Sequence, residues 1–159
     1  MRAPRKTSLK EIDDCLQKNL TWVTTHLEKA ARQQEESARA EKLTWEEMEA
    51  LGQEALRVIP PLVRQYAGTV GVNFGRITVR NQKTRWGSCS TKGNLNFNVL
   101  LMLCPREILE YVIVHELCHR KEMNHSPRFW GEVERVLPDY KARRKWLKTN
   151  GPVLMARMP

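Results

Sequence analysis

The 159-residue chain carries 27 Lys and Arg against 18 Asp and Glu, a net charge of +9, and is 41% hydrophobic. That composition suits one buried core with helical extensions, and no apolar run approaches the roughly eighteen residues of a membrane span. The opening MRAPRKTSLKE lacks the apolar centre of a signal peptide, and Cys15, Cys89, Cys104 and Cys118 show no C-x-x-C spacing, so the reading is a cytoplasmic protein without a disulfide framework or zinc knuckle.

Ser8-Leu9-Lys10-Glu11 has the form of a capping box, and Leu9, Ile12, Leu16, Leu20, Val23 and Leu27 keep roughly helical spacing behind it. The pattern predicts a helix, or a broken pair of helices, from Leu9 to about Ala40. Its second half is polar nearly all round. His26 reads as a surface or packing residue. Thr44-Trp45-Glu46-Glu47 is a second capping box, opening a helix with Met48, Leu51, Ala55, Leu56, Ile59, Leu62, Val63 and Tyr66 on its buried side. At Pro60-Pro61 that helix kinks or a new one starts, and Gly68 and Gly71 are expected to end it.

From Val72 to Asn98 the periodicity changes. Arg76-Ile77-Thr78-Val79-Arg80 and Asn94-Leu95-Asn96-Phe97-Asn98 alternate polar and apolar, with Thr91-Lys92-Gly93 as turn material, which predicts a small antiparallel sheet. An open edge of such a sheet is a template for an extended peptide. Trp86 and Phe97 read as core. Arg85 reads as a sheet-surface residue with a second option, clamping a substrate carboxylate or stabilising an oxyanion. No acid occurs between Glu54 and Glu107, while Arg57, Arg64, Arg76, Arg80, Lys83, Arg85, Lys92 and Arg106 fall in or beside the gap. This cationic field could attract nucleic acid, an acidic peptide or a carboxylate terminus, or merely solubilise a sheet face.

Pro105 suits the first turn of a helix that runs into the stretch YVIVHELCHRKEMNHSPRFW, Tyr111 to Trp130, where the chemistry concentrates. His115, Glu116 and His119 form H-E-x-x-H. Residues four apart share a helix face, so both imidazoles can point at one centre with Glu116 beside them. Tyr111, Val112, Ile113, Val114 and Leu117 make the helix apolar almost all round, hence buried, and buried His and Glu need partners that a metal supplies. Two imidazoles, a third protein ligand and an open position describe a catalytic zinc site. His125 is the third ligand on this reading, since the helix must stop near Asn124 and Ser126-Pro127 begins another as N-cap and first residue. Zinc lowers the pKa of bound water, and Glu116, a carboxylate that is not a ligand, can take the proton and pass it to a leaving amine. Cys118 reads as a small buried apolar residue.

Beyond the metal loop, Phe129, Trp130, Val133, Val136 and Leu137 predict an amphipathic helix that packs the loop and holds His125 at its angle. Glu132 reads as a solvated acid, with a hydrogen bond to a ligand His as the alternative. Asp139 is expected to cap a last helix that ends at Asn150-Gly151, and Tyr140 is a weak candidate oxyanion donor.

Taken together, T-R-W-G-S-C-S at Thr84 to Ser90, G-N-L-N-F-N at Gly93 to Asn98, V-I-V-H-E-L-C-H at Val112 to His119, N-H-S-P-R-F-W at Asn124 to Trp130 and L-P-D-Y-K at Leu137 to Lys141 resemble the YgjP-like zinc metallopeptidases, relatives of the SprT and WLM-type proteases. The resemblance implies a zincin-like domain with His115, His119 and His125 as zinc ligands and Glu116 as base. Metzincins share the six-residue step to the third His, but their Gly is replaced here by Glu122. Family members usually begin with further strands before a V-R-A-P-like segment that Met1-Arg2-Ala3-Pro4 resembles, so the leading sheet is expected to be missing. SprT relatives act on proteins attached to DNA, which bears on the basic segment by analogy.

The sequence thus predicts one α+β, zincin-like domain over 1–159, mostly helical, with a helical part at 1–67 and a sheet and metal-site core at 68–159. Its expected function is zinc-dependent hydrolysis of peptide or protein substrates. The rivals are a nucleic-acid-associated protein with a structural zinc and a metal-dependent hydrolase of other amides. A structural site would need a fourth protein ligand, and none is evident.

Overall fold

The structure is a computed structural model that describes residues 8–159. The Met1-Arg2-Ala3-Pro4 segment lies outside the described residues. The chain divides into two compact units, Met1–Arg39 and Ala40–Pro159, so the boundary falls at Arg39 and the helix that follows belongs wholly to the second unit.

In the first unit, helix α1 runs over Leu9–Arg39. The predicted capping box closes it: Ser8 Oγ accepts from the Glu11 amide at 3.3 Å and the Ser8 amide donates to Glu11 Oε2 at 2.8 Å. None of its side chains is buried. His26 stacks on Trp22 one turn away, ring centroids 4.0 Å apart.

The second unit begins with α2, Trp45–Val70, opened by the Thr44–Glu47 capping box. It passes through Pro60 and Pro61 as one helix, and Gly71, not Gly68, ends it in the left-handed region at φ 80°. The two prolines withdraw amide donors from the carbonyls of Leu56 and Arg57, which lie on the exposed side where water can replace them. Ile59, Leu62 and Val63 on the opposite side are buried, each contributing roughly 1.5–3 kcal/mol of burial.

Three short strands follow: β1 (Ile77–Arg80), β2 (Gly87–Cys89) and β3 (Leu95–Asn98). Their order is β1-β3-β2, with β2 antiparallel to β3 but β1 parallel to it. The sheet is therefore mixed and not antiparallel throughout, which corrects the sequence expectation. The turn at Ser90–Asn94 folds β3 back on β2, and the connection from Arg80 to Gly87 reverses the chain once more, so β3 returns alongside β1 in β1's own direction. Alternation gives each strand its faces but not its neighbour. The 3₁₀ turn Val99–Leu103 leads to α3 (Arg106–Cys118), α4 (Pro127–Val136) and α5 (Tyr140–Ala156).

The core lies between α2, the sheet and α3, around Phe97, Ile113, Leu117 and Phe129, all fully covered. Helix α5 does not stop at Asn150-Gly151 but continues through Pro152. Gly151 backs onto the Trp86 indole, where a Cβ would lie 3.1 Å from Nε1, and Met155 and Met158 beyond it join a second cluster with Leu43, Met48, Val99 and Leu100. That burial carries the helix past its expected end.

Candidate active site

Helix α3 is buried on almost every side, and it brings His115 and Glu116 into the protein as its last full turn, with His119 as its C-cap. His125 arrives from the loop that the Ser126 cap closes: the Ser126 amide donates to Asn124 Oδ1 at 3.1 Å, and Ser126 Oγ accepts from the Phe129 amide at 3.3 Å. One ligand atom from each of His115, His119 and His125 lies within 4.8 Å of the others. The three predicted ligands therefore converge.

Their hydrogen bonds favour a cation at the centre. His115 Nε2 and His125 Nε2 are 3.0 Å apart, and His115 Nδ1 is buried without a partner among the described residues. Two imidazole nitrogens facing each other satisfy at most one donor, whereas a cation between them draws on both lone pairs. His119 Nδ1 lies 3.1 Å from the Glu122 carbonyl, which can only accept, so Nδ1 carries the proton and Nε2 is left with its lone pair. Burial, reinforced by the other two histidines, pushes His115 down to about 3, and burial also lowers His119. Both rings are neutral at pH 7, the form a metal needs.

Phe129 is the floor of the cluster. Its ring centroid lies 4.9, 4.5 and 4.8 Å from those of His115, His119 and His125, and it is fully buried. Trp130 stacks on His125 at 5.6 Å, and Tyr140 stacks on Trp130 at 5.3 Å. Tyr140 is thus a nearly covered packing partner of the loop. Helix α4 steadies His125 as its amphipathic pattern suggests, but through two aromatic rings whose separate roles the pattern does not distinguish.

Glu116 is 5% exposed and opens on a pocket of about 260 Å³ lined by Arg85, Gly87, Ser88, Cys89 and Met123 as well as the histidines. Burial raises its carboxyl to about 8, and the Arg85 charge opposes that rise. A Cβ at Gly87 would lie 2.7 Å from Glu116 Oε1, so the bare backbone of β2 makes the space the carboxylate occupies. The residues of β2, an edge strand of the sheet, line this pocket.

Arg85, just before β2, lines this pocket. Asn98 holds it there: fully buried, its Nδ2 donates to the carbonyls of Gln82 at 2.6 Å and Arg85 at 2.9 Å, while its Oδ1 accepts from the Leu100 amide. Alternation puts Asn98 on the polar side of β3 and gives no sign of this task. Glu132 does not reach a histidine; it pairs with Lys121 at 2.8 Å and Arg135 at 3.2 Å. Asp139 makes no cap bond and instead pairs with Arg143 at 2.9 Å. Cys118 is buried, as expected of an apolar filler.

A buried helix bearing H-E-x-x-H, a third histidine folded back onto it and a small sheet alongside define a zincin-like metallopeptidase. The YgjP-like metallopeptidase domain matches residues 46–150, more than half of the chain, and the protein belongs to that family. It is a metal-dependent hydrolase. Its structure is similar to that of the metallopeptidase zymogen of Pyrococcus abyssi abylysin, with TM-score 0.54 and 25% identity over 58% of this chain and 94% of that one. The metallopeptidase zymogen of Methanocaldococcus jannaschii jannalysin aligns with TM-score 0.49 and 25% identity over 57% of this chain and 91% of that one. No curated protein matches. The expectation of nucleic-acid binding through the basic segment finds no support in these comparisons. No helix among the described residues is long and apolar enough to cross a membrane.

Proposed function

We propose that His115, His119 and His125 hold one zinc ion and that Glu116 is the general base of peptide-bond hydrolysis. The observation that carries this reading is the joint geometry of the site: three imidazoles converge, two of them neutral with one tautomer set by the Glu122 carbonyl, beside a buried carboxylate that is not among them. An all-imidazole donor set suits zinc among the common divalent metals. The ion supplies Lewis acidity, polarising the scissile carbonyl and making water a better acid.

The chain's own residues do the rest. Burial alone raises the Glu116 carboxyl to about 8, and the positive charge of an ion at the histidines would favour its ionised form again. As a carboxylate, Glu116 takes a proton from the attacking water and returns it to the departing amine. The outer edge of β2 pairs with the backbone of an extended substrate and aims its carbonyl at the histidines. Arg85, exposed at the pocket wall, faces the negative charge that develops on that carbonyl.

Digestion of an unfolded casein, followed by gel and mass spectrometry, tests the reading. Cleavage is expected from the zinc-loaded protein, is abolished by a chelator and returns on adding zinc. Digestion that ignores the chelator, or a zinc-loaded protein without activity, contradicts it.

A further inference from the structure

A second groove, of about 670 Å³, lies between the Lys83–Trp86 turn and helix α5. Its walls are Trp86, Leu147 and Met155, and the basic side chains at its mouth are Lys83, Arg144 and Lys148, with no acid in its lining. All three cations are exposed, and none forms an ion pair among the described residues. Elsewhere on α5 Lys141 pairs with Glu134 and Arg143 with Asp139 and Glu110, while Lys145 is exposed and outside these pairs.

The groove and the metal pocket share no lining residue, but consecutive residues of one segment line them, Thr84 and Trp86 the one and Arg85 the other. On the α5 side, Arg144 lies 4.5 Å above the Trp130 ring, the same ring that stacks on His125. Arg144 is thus separated from His125 by a single ring, which sets this wall of the groove beside the metal site.

We propose that this groove is a substrate subsite that receives a carboxylate of the bound peptide, so that acidic chains are preferred. The inference rests on the peptidase reading of the site. Apolar walls accept the methylenes of an acidic side chain, and the cations at the mouth meet its charge. A nucleic acid would call for an extended basic track with rings for its bases; here three cations surround one short groove near the metal site.

The test is binding first and cleavage second. Fluorescent peptides differing only in Glu, Gln or Lys near their centre, each with a C-terminal acid or amide, are titrated by anisotropy against zinc-loaded E116Q. The Glu peptide is expected to bind about tenfold or more tightly than the Gln peptide, and the Lys peptide more weakly still. The order reverses in a K83E/K148E background and flattens in K83Q/K148Q. A preference carried only by the C-terminal acid places the carboxylate at the chain end. Equal binding of Glu and Gln peptides, or an order unchanged by K83E/K148E, overturns the proposal. So does an oligonucleotide of matched charge that displaces the Glu peptide at concentrations where a second acidic peptide does not. Because the peptides are read by binding, failure of the native protein to cleave any of them counts against the peptidase reading and leaves the subsite result standing. In an active enzyme, kcat/KM follows the same order.

Discussion

Gly87 and Glu116 compete for one volume: a Cβ on Gly87 would stand 2.7 Å from Glu116 Oε1 and 2.8 Å from its Cγ. The site thus depends on a missing side chain as much as on those present. Gly87→Ala is expected to push the carboxylate out of line, lowering kcat by about 10²-fold while zinc stays bound, because the added Cβ meets the Glu116 side chain and not a histidine. The overpacking costs about 1–3 kcal/mol of stability. Metal analysis beside peptidase kinetics separates the two effects; zinc loss in step with activity would mean that Gly87 supports the whole fold instead.

Phe129 supports all three histidines at once, at centroid distances of 4.5 to 4.9 Å. Truncation to Ala empties a fully buried site and is expected to cost about 3–5 kcal/mol, measured by denaturant unfolding. Phe129→Leu keeps an apolar filler but loses the flat surface, so zinc affinity should fall about 10- to 100-fold with a much smaller loss of stability. Competition against a chelating dye reads the affinity directly. Unchanged affinity would show that the rings are oriented by their own helices alone.

Lys121 and Arg135 hold the Glu132 carboxyl below the usual carboxylate range, the Lys121 hydrogen bond contributing most. A folded-state pKa below the unfolded value means that the contribution is complete above the unfolded pKa, near 4.5, and is lost as the pH falls through the lower folded value. Glu132→Gln should therefore narrow the difference in melting temperature between pH 7 and pH 3.5, an effect kept small by the solvent exposure of the pair. A difference of the same size in both proteins would assign the acid sensitivity to other groups.

What the sequence discloses is mostly local. The Ser8 and Thr44 caps, the His115–His119 pair and the Ser126-Pro127 start are set by spacings of four residues or fewer, and each stands where its pattern puts it. Contacts between distant segments are less visible. Nothing in the sequence marks Gly87 until Glu116 is set against it, and alternation makes Asn98 only a polar strand position until the Gln82 and Arg85 carbonyls come within reach. The parallel pairing of β1 with β3 depends on the path of a loop that has no periodicity of its own. Asn150-Gly151 looks like a helix stop, and it is overridden by the burial of residues on both sides, a tertiary effect larger than the local preference.

The central claim is that Glu116 works on water while the histidines hold the metal. It is tested most directly by comparing casein cleavage by the native protein and by Glu116→Gln, with the zinc content of each measured in the same samples. The account predicts one zinc per chain in both and a loss of cleavage of at least about 10³-fold in the variant, since Gln cannot accept the proton. Equal cleavage by two equally loaded proteins would contradict it.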